Sequence, residues 1–147
     1  MSKRNWVRCL AAASIGVVLF GLVALAASHP GGAAVWGFFF DLVRWSFEPG
    51  AYQFDDDSRL LNGISGGLLI GWGSMMTWLS LGPIARGDGG ARRAAWVAIG
   101  AWFLADSLGS ILSDAPGNIV LNVGILLLFA IPLLALGRSA RLARVAA

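Results

Sequence analysis

Asp106 is a carboxylate inside an otherwise apolar run, and Ser110 follows it at helical spacing. Asn118 and Asn122 open the next apolar run, after the break Ser113-Asp114-Ala115-Pro116-Gly117. An ionisable group at membrane depth is costly, so by default it marks a site or a buried polar contact. If the two runs are helices of one hairpin, Asp106 lies about eight residues before the turn and Asn122 about seven after it. At ~1.5 Å per residue both sit roughly 10–12 Å from the hairpin's end. Asn62 enters a third helix from the same side, and the stem of Arg59 is long enough to carry its guanidinium inward. Asp106, Asn122, Asn118, Ser110, Asn62 and Arg59 could therefore line a pocket for a small polar ligand, an ion or a proton. The competing expectation is a hydrogen-bond network that only fixes helix register, because polar contacts commonly join membrane helices.

Other chemistry finds little to work with. His29 is the single histidine and sits in a Pro-Gly turn, and no His/Cys/Glu group has metal-ligand spacing. A Ser/His/Asp set has no support from one histidine so placed. Cys9 is the lone cysteine, which excludes an internal disulfide and a C-x-x-C redox or haem motif. Also missing are the paired thiols of quinone-linked disulfide oxidases, the first-helix Glu of small multidrug exporters and the paired histidines of four-helix haem cytochromes. No enzyme activity, metal or cofactor is expected.

The elements that must position these residues are hydrophobic. The 147-residue chain is 57% hydrophobic and 13% charged, against the ~25% charged residues of ordinary soluble domains. Four windows, 6–27, 60–81, 94–112 and 118–136, reach or approach the ~20 apolar residues that cross a bilayer core. The expected class is all-α: one domain over 1–147, an integral membrane four-helix bundle. The net charge of +3 is arranged by position. Lys3, Arg4 and Arg8 precede the first span, Arg86, Arg92 and Arg93 lie between the second and third, and Arg138, Arg141 and Arg144 follow the fourth. Only Arg44 and Arg59 fall on the acidic side, so both termini and the middle loop are expected in the cytoplasm. The cations then anchor topology beside anionic lipid, and nucleic acid is not an expected partner, since no reading motif accompanies the charge. Arginine greatly outnumbers lysine and alanine and glycine abound, which fits a bacterial inner membrane protein.

The first span also has features of a secretory signal, with a basic start and Ala24-Leu25-Ala26 before Ala27-Ser28. Its apolar run exceeds the ~7–15 residues of a signal core, which favours a retained helix over a cleaved one. In the first extracytoplasmic loop, 33–47 reads as a short amphipathic helix. Gly37, Asp41, Arg44 and Glu48 share one face, and Trp36, Phe39, Phe40, Val43 and Phe47 share the other. Such a helix suits the membrane–water boundary or a lid over the bundle's mouth. Asp55, Asp56 and Asp57 lack the alternating ligand spacing of a calcium loop and read as the cap of the second span. Within that span, Gly63, Gly67, Gly71 and Ser74 form a small-residue ladder expected to pack against another helix. Gly82-Pro83 is expected to stop it.

Two functions fit. One is a non-enzymatic accessory, assembly or interaction subunit of a membrane complex, or a homo-oligomer. The other is a small transporter or ligand-binding protein using the Asp106 pocket in the outer leaflet.

Overall fold

The computed structural model describes residues 1–45 and 54–145. It contains α1 (Lys3–Ala26), α2 (Ala33–Arg44), α3 (Asp56–Leu79), α4 (Gly89–Leu112) and α5 (Pro116–Val145), with no strand among the described residues. Three helices, α1, α4 and α5, are long and apolar enough to cross a membrane. At 24 residues α3 matches α1 and α4 in length. Its glycines, serines and Asn62 keep it less apolar than those three.

α1 occupies the middle, packed against α3 on one side and α5 on the other, with α4 on the far side of α5. Its buried residues Val7, Leu10, Ser14, Val17, Gly21 and Ala24 recur at alternating steps of three and four, the spacing that keeps one seam facing a partner helix. The answering seam on antiparallel α3 is Asn62, Gly66, Gly73 and Met76, continued by Ser80. The approach is close enough to require glycine. A Cβ on Gly66 would lie 2.6 Å from the Leu25 nitrogen, and one on Gly73 would lie 2.9 Å from the Ser14 carbonyl oxygen. The ladder expected from sequence is turned away from this seam. Gly63 is only half-buried beside Ser28, Gly67, Gly71 and Ser74 are exposed, and a Cβ on Gly67 or Gly71 would touch nothing within 4 Å. Both stripes carry small residues; the heptad partners on α1 select the second.

Gly82-Pro83 does not end α3. The chain passes through one π-helical turn, Ser80–Ile84, and stays helical to Arg86. A wider turn relieves the clash that a proline ring makes with the carbonyl one α-helical turn back. Gly87, at φ +93°, then closes the helix. Its N–H reaches the Ile84 carbonyl at 3.0 Å and the Asp88 N–H reaches that of Pro83 at 3.0 Å, the Schellman pairing. Asp88 at once caps α4, accepting from the Gly90 and Ala91 amides at 2.7 and 3.1 Å. The stretch 82–93 between the two expected spans therefore shrinks to a two-residue corner. The α4–α5 turn uses the same pairing: Asp114 N–H to Ile111 at 3.3 Å and Ala115 N–H to Ser110 at 2.9 Å. Asp114 takes the left-handed position at φ 55°, and Pro116 begins α5, where a missing N–H costs nothing.

Asp55 caps α3 by accepting the Ser58 amide at 2.8 Å. Hydrogen bonds from Ser58 hold the Asp55 carboxyl below the usual carboxylate range, and those from Ala91 and Gly90 do the same for Asp88. α5 runs on to Val145, through Pro132 and past the expected end at 136.

Candidate functional site

Asp106 and Ser110 on α4, like Asn118 and Asn122 on α5, stand one turn apart on the same helix face. The α4–α5 corner sets the two faces opposite each other. Asp106 Oδ1 accepts from Asn118 Nδ2 at 2.7 Å and from Asn122 Nδ2 at 3.1 Å. Ser110 Oγ donates mainly to the Asp106 carbonyl at 2.7 Å, with a long 3.5 Å approach to Oδ1. Asn118 Nδ2 also reaches Ser110 Oγ at 2.8 Å. Asn122 Nδ2 reaches Ser107 Oγ at 3.4 Å, a partner that sequence reasoning missed. Asn122 and Ser110 are buried at 2% and 5% exposure, and Asp106 is half-buried. Below the cluster the same stripes continue as buried Ile99 on α4 and Phe129 on α5. Trp72 of α3 stacks against Trp102 at 5.6 Å and lies 5.8 Å from Phe129, joining three helices beneath the polar group.

The third helix does not contribute as expected. Asn62 is buried, but its Nδ2 donates to the Ser58 carbonyl of its own helix at 3.0 Å. Arg59 is turned to Asp56, with Nη1 and Oδ1 3.4 Å apart. It lines a separate crevice with Ser28 and Gly63. The cause is the α1–α3 seam, which commits α3 to α1 and leaves it few contacts with α4.

α2 fills the gap. Trp36 and Val43 are buried at 6% and 4% exposure, and Trp36 sits in an aromatic group with Phe20, Phe39 and Phe40. The helix ends at Trp45 in the left-handed conformation, φ 54°. Its last turn rests on Gly117, where a Cβ would meet the Val43 and Leu42 carbonyls at 2.6 and 2.8 Å and the Trp45 Nε1 at 2.7 Å. A crevice of about 260 Å³ lies between α2 and the α4–α5 corner, lined by Asp106, Ser110 and Asn118 opposite Phe39, Phe40 and Arg44. Phe40 and Arg44 also wall a second crevice of about 350 Å³ that holds Ser58, Asn62 and Ser65. The polar residues of α3 and α4 thus flank one face of α2. Arg44 was legible as one of two basic residues on the acidic side, but its helical spacing pointed to Asp41 and Glu48. Glu48 lies outside the described residues.

As chemistry, the cluster is an acceptor oxygen served by two carboxamide donors, beside a crevice that Arg44 also lines. The arrangement can brace two helices and can hydrogen-bond a small polar group. The chain matches no protein-family model, no curated protein and no solved structure.

Proposed function

We propose that this chain is a small, non-enzymatic, multi-pass protein of the bacterial inner membrane, an accessory or assembly subunit of a larger membrane complex or of a homo-oligomer. In this reading α1, α3, α4 and α5 form a four-span bundle. α2 lies at the outer membrane–water boundary, and both termini and the α3–α4 corner are cytoplasmic. The carrying observation is the engagement of Asp106 by Asn118 and Asn122. The one ionisable group in the apolar part of α4 is used to fasten α4 to α5, as expected of a structural polar contact. The outward side of α4 supports the same reading, with Val97, Leu104 and Ile111 each more than 60% exposed. That surface suits lipid or the helix of a partner. Retention of α1 is supported by its place in the core, since Leu10, Ser14 and Ala24 are fully buried.

A second reading, a ligand-binding or transport protein, is favoured by one observation: Arg44 and Asp106 line the same crevice. Native mass spectrometry of the full chain and its Asp106→Asn variant from mild detergent separates the two. Loss of a co-purifying protein or of the second copy in the variant supports the subunit reading. An unchanged assembly that loses a small-molecule mass supports the ligand reading and overturns the first.

A further inference from the structure

At the opposite end of the helices from Asp106, a crevice of about 350 Å³ opens between the start of α1 and the π-helical end of α3. Such a volume is within the ~300–1,000 Å³ of small-molecule sites. Its lining divides by chemistry. Lys3, Arg4 and Arg8 supply three cations, and Val7, Leu81 and Ala85 supply an apolar wall. Lys3, Arg4, Val7 and Arg8 follow one helix face, while Leu81 and Ala85 stand four residues apart on the segment beside it. Three like charges around one crevice repel one another unless an anion joins them.

Among the described residues, none that lines the crevice carries a negative charge. Among the described residues, Asp88 is the one carboxylate near this end of the helices; the others lie on α2, at the start of α3, in the outer half of α4 or in the α4–α5 corner. Asp88 is bound to the amides of Gly90 and Ala91 and sits beside Arg86 and Arg93. It does not line the crevice. Topology anchoring explains why cations occur at a helix start. It does not require a second helix to bring an apolar wall alongside them.

We propose that this crevice binds the phosphate headgroup of one anionic glycerophospholipid, with Lys3, Arg4 and Arg8 on the phosphate and an acyl chain along Val7, Leu81 and Ala85. Arginine suits phosphate through its bidentate donors, and a basic pocket between membrane helices is where such headgroups are held. The apolar wall selects a lipid over a free oxyanion, because inorganic phosphate has nothing to place against Leu81.

The full chain in a neutral detergent is titrated with phosphatidylglycerol and, separately, with phosphatidylcholine, and bound lipid is read by native mass spectrometry. One phosphatidylglycerol should survive on the native chain, with phosphatidylcholine at least about tenfold weaker, because its choline ammonium cancels the charge of the phosphate and would stand among the three cations. The triple variant Lys3→Gln/Arg4→Gln/Arg8→Gln should lose phosphatidylglycerol at least about tenfold. Leu81→Glu sets a carboxylate among the cations at a position 58% exposed, so it tests the site even where the triple variant fails to fold, and it should lose the lipid as strongly. Arg86→Gln/Arg93→Gln/Arg138→Gln removes the same charge elsewhere and should stay within about twofold. Equal loss in this control, or retention in Leu81→Glu, would overturn the site. Displacement of the lipid by millimolar inorganic phosphate would overturn the lipid assignment in favour of a free oxyanion.

Discussion

Asn118 Nδ2 stands 2.7 Å from Asp106 Oδ1 across the α4–α5 corner, and Asn122 adds a second amide to the same oxygen at 3.1 Å. Twelve and sixteen residues separate these pairs in sequence. The contact therefore reports directly on whether the hairpin is closed.

Replacing one donor and leaving the acceptor should cost more than removing the set. Asn118→Leu strips the half-buried Asp106 of its shorter amide partner and leaves Asn122 as the remaining amide on Oδ1, a loss of about 1 kcal/mol. The triple change Asp106→Leu/Asn118→Leu/Asn122→Leu removes the demand together with the donors. It should recover about half or more of that loss, since single interhelical hydrogen bonds in membranes average only ~0.6 kcal/mol. Thermal or denaturant unfolding in detergent measures both. A triple variant less stable than Asn118→Leu would contradict this account.

The two glycine stripes of α3 should separate sharply. Gly66→Ala and Gly73→Ala press a methyl against the backbone of α1, and overpacking of that kind costs ~1–3 kcal/mol. Gly67→Ala and Gly71→Ala meet open space and should be neutral or slightly stabilising through helix propensity. Melting of the four single variants decides the matter. Equal destabilisation at Gly67 would place the helix seam on the other stripe.

Gly117→Ala should loosen α2 while leaving α1 against α3. The added carbon overlaps two carbonyls and the indole of the α2 terminus, so that end must lift from α5. Hydrogen exchange should rise in 33–45 and stay unchanged in 14–21. Protection in 33–45 equal to that of the native chain would show that the seat is not needed.

Acid should weaken both helix caps. The folded carboxyls of Asp55 and Asp88 lie below their ordinary value of 3.8. Their contribution is whole above that value and fades as pH falls through the lower folded values. Asn caps a helix about as well as Asp without titrating, so Asp55→Asn/Asp88→Asn should flatten the fall in melting temperature below about pH 4. An unchanged acid slope would assign it to other groups.

Much of the hairpin cluster was legible because it depends on local spacing. Asp106, Ser110, Asn118 and Asn122 each need only a helix and a short turn to find one another, and both are written in adjacent residues. Asn62 and Arg59 depended instead on the rotation of α3, which is set by Ser14 and Gly21 on a helix some forty residues away. α3 carries two small-residue stripes, and nothing within it says which one α1 will occupy. Arg44 had plausible partners on its own helix, so its place beside the Asp106 crevice depended on Gly117, a seat that reads as an ordinary turn residue. Pro83 reads as a stop under the rules of α-helices, and a single wider turn lifts that restriction.

The central position of α1 bears on how the protein is made. α1, the first of the five helices in chain order, is gripped by α5, the last of them. α1 can close on α3 once both exist, but its other side has no cover before α5 is made. A chain cut short before α5 would therefore leave that side of α1 bare.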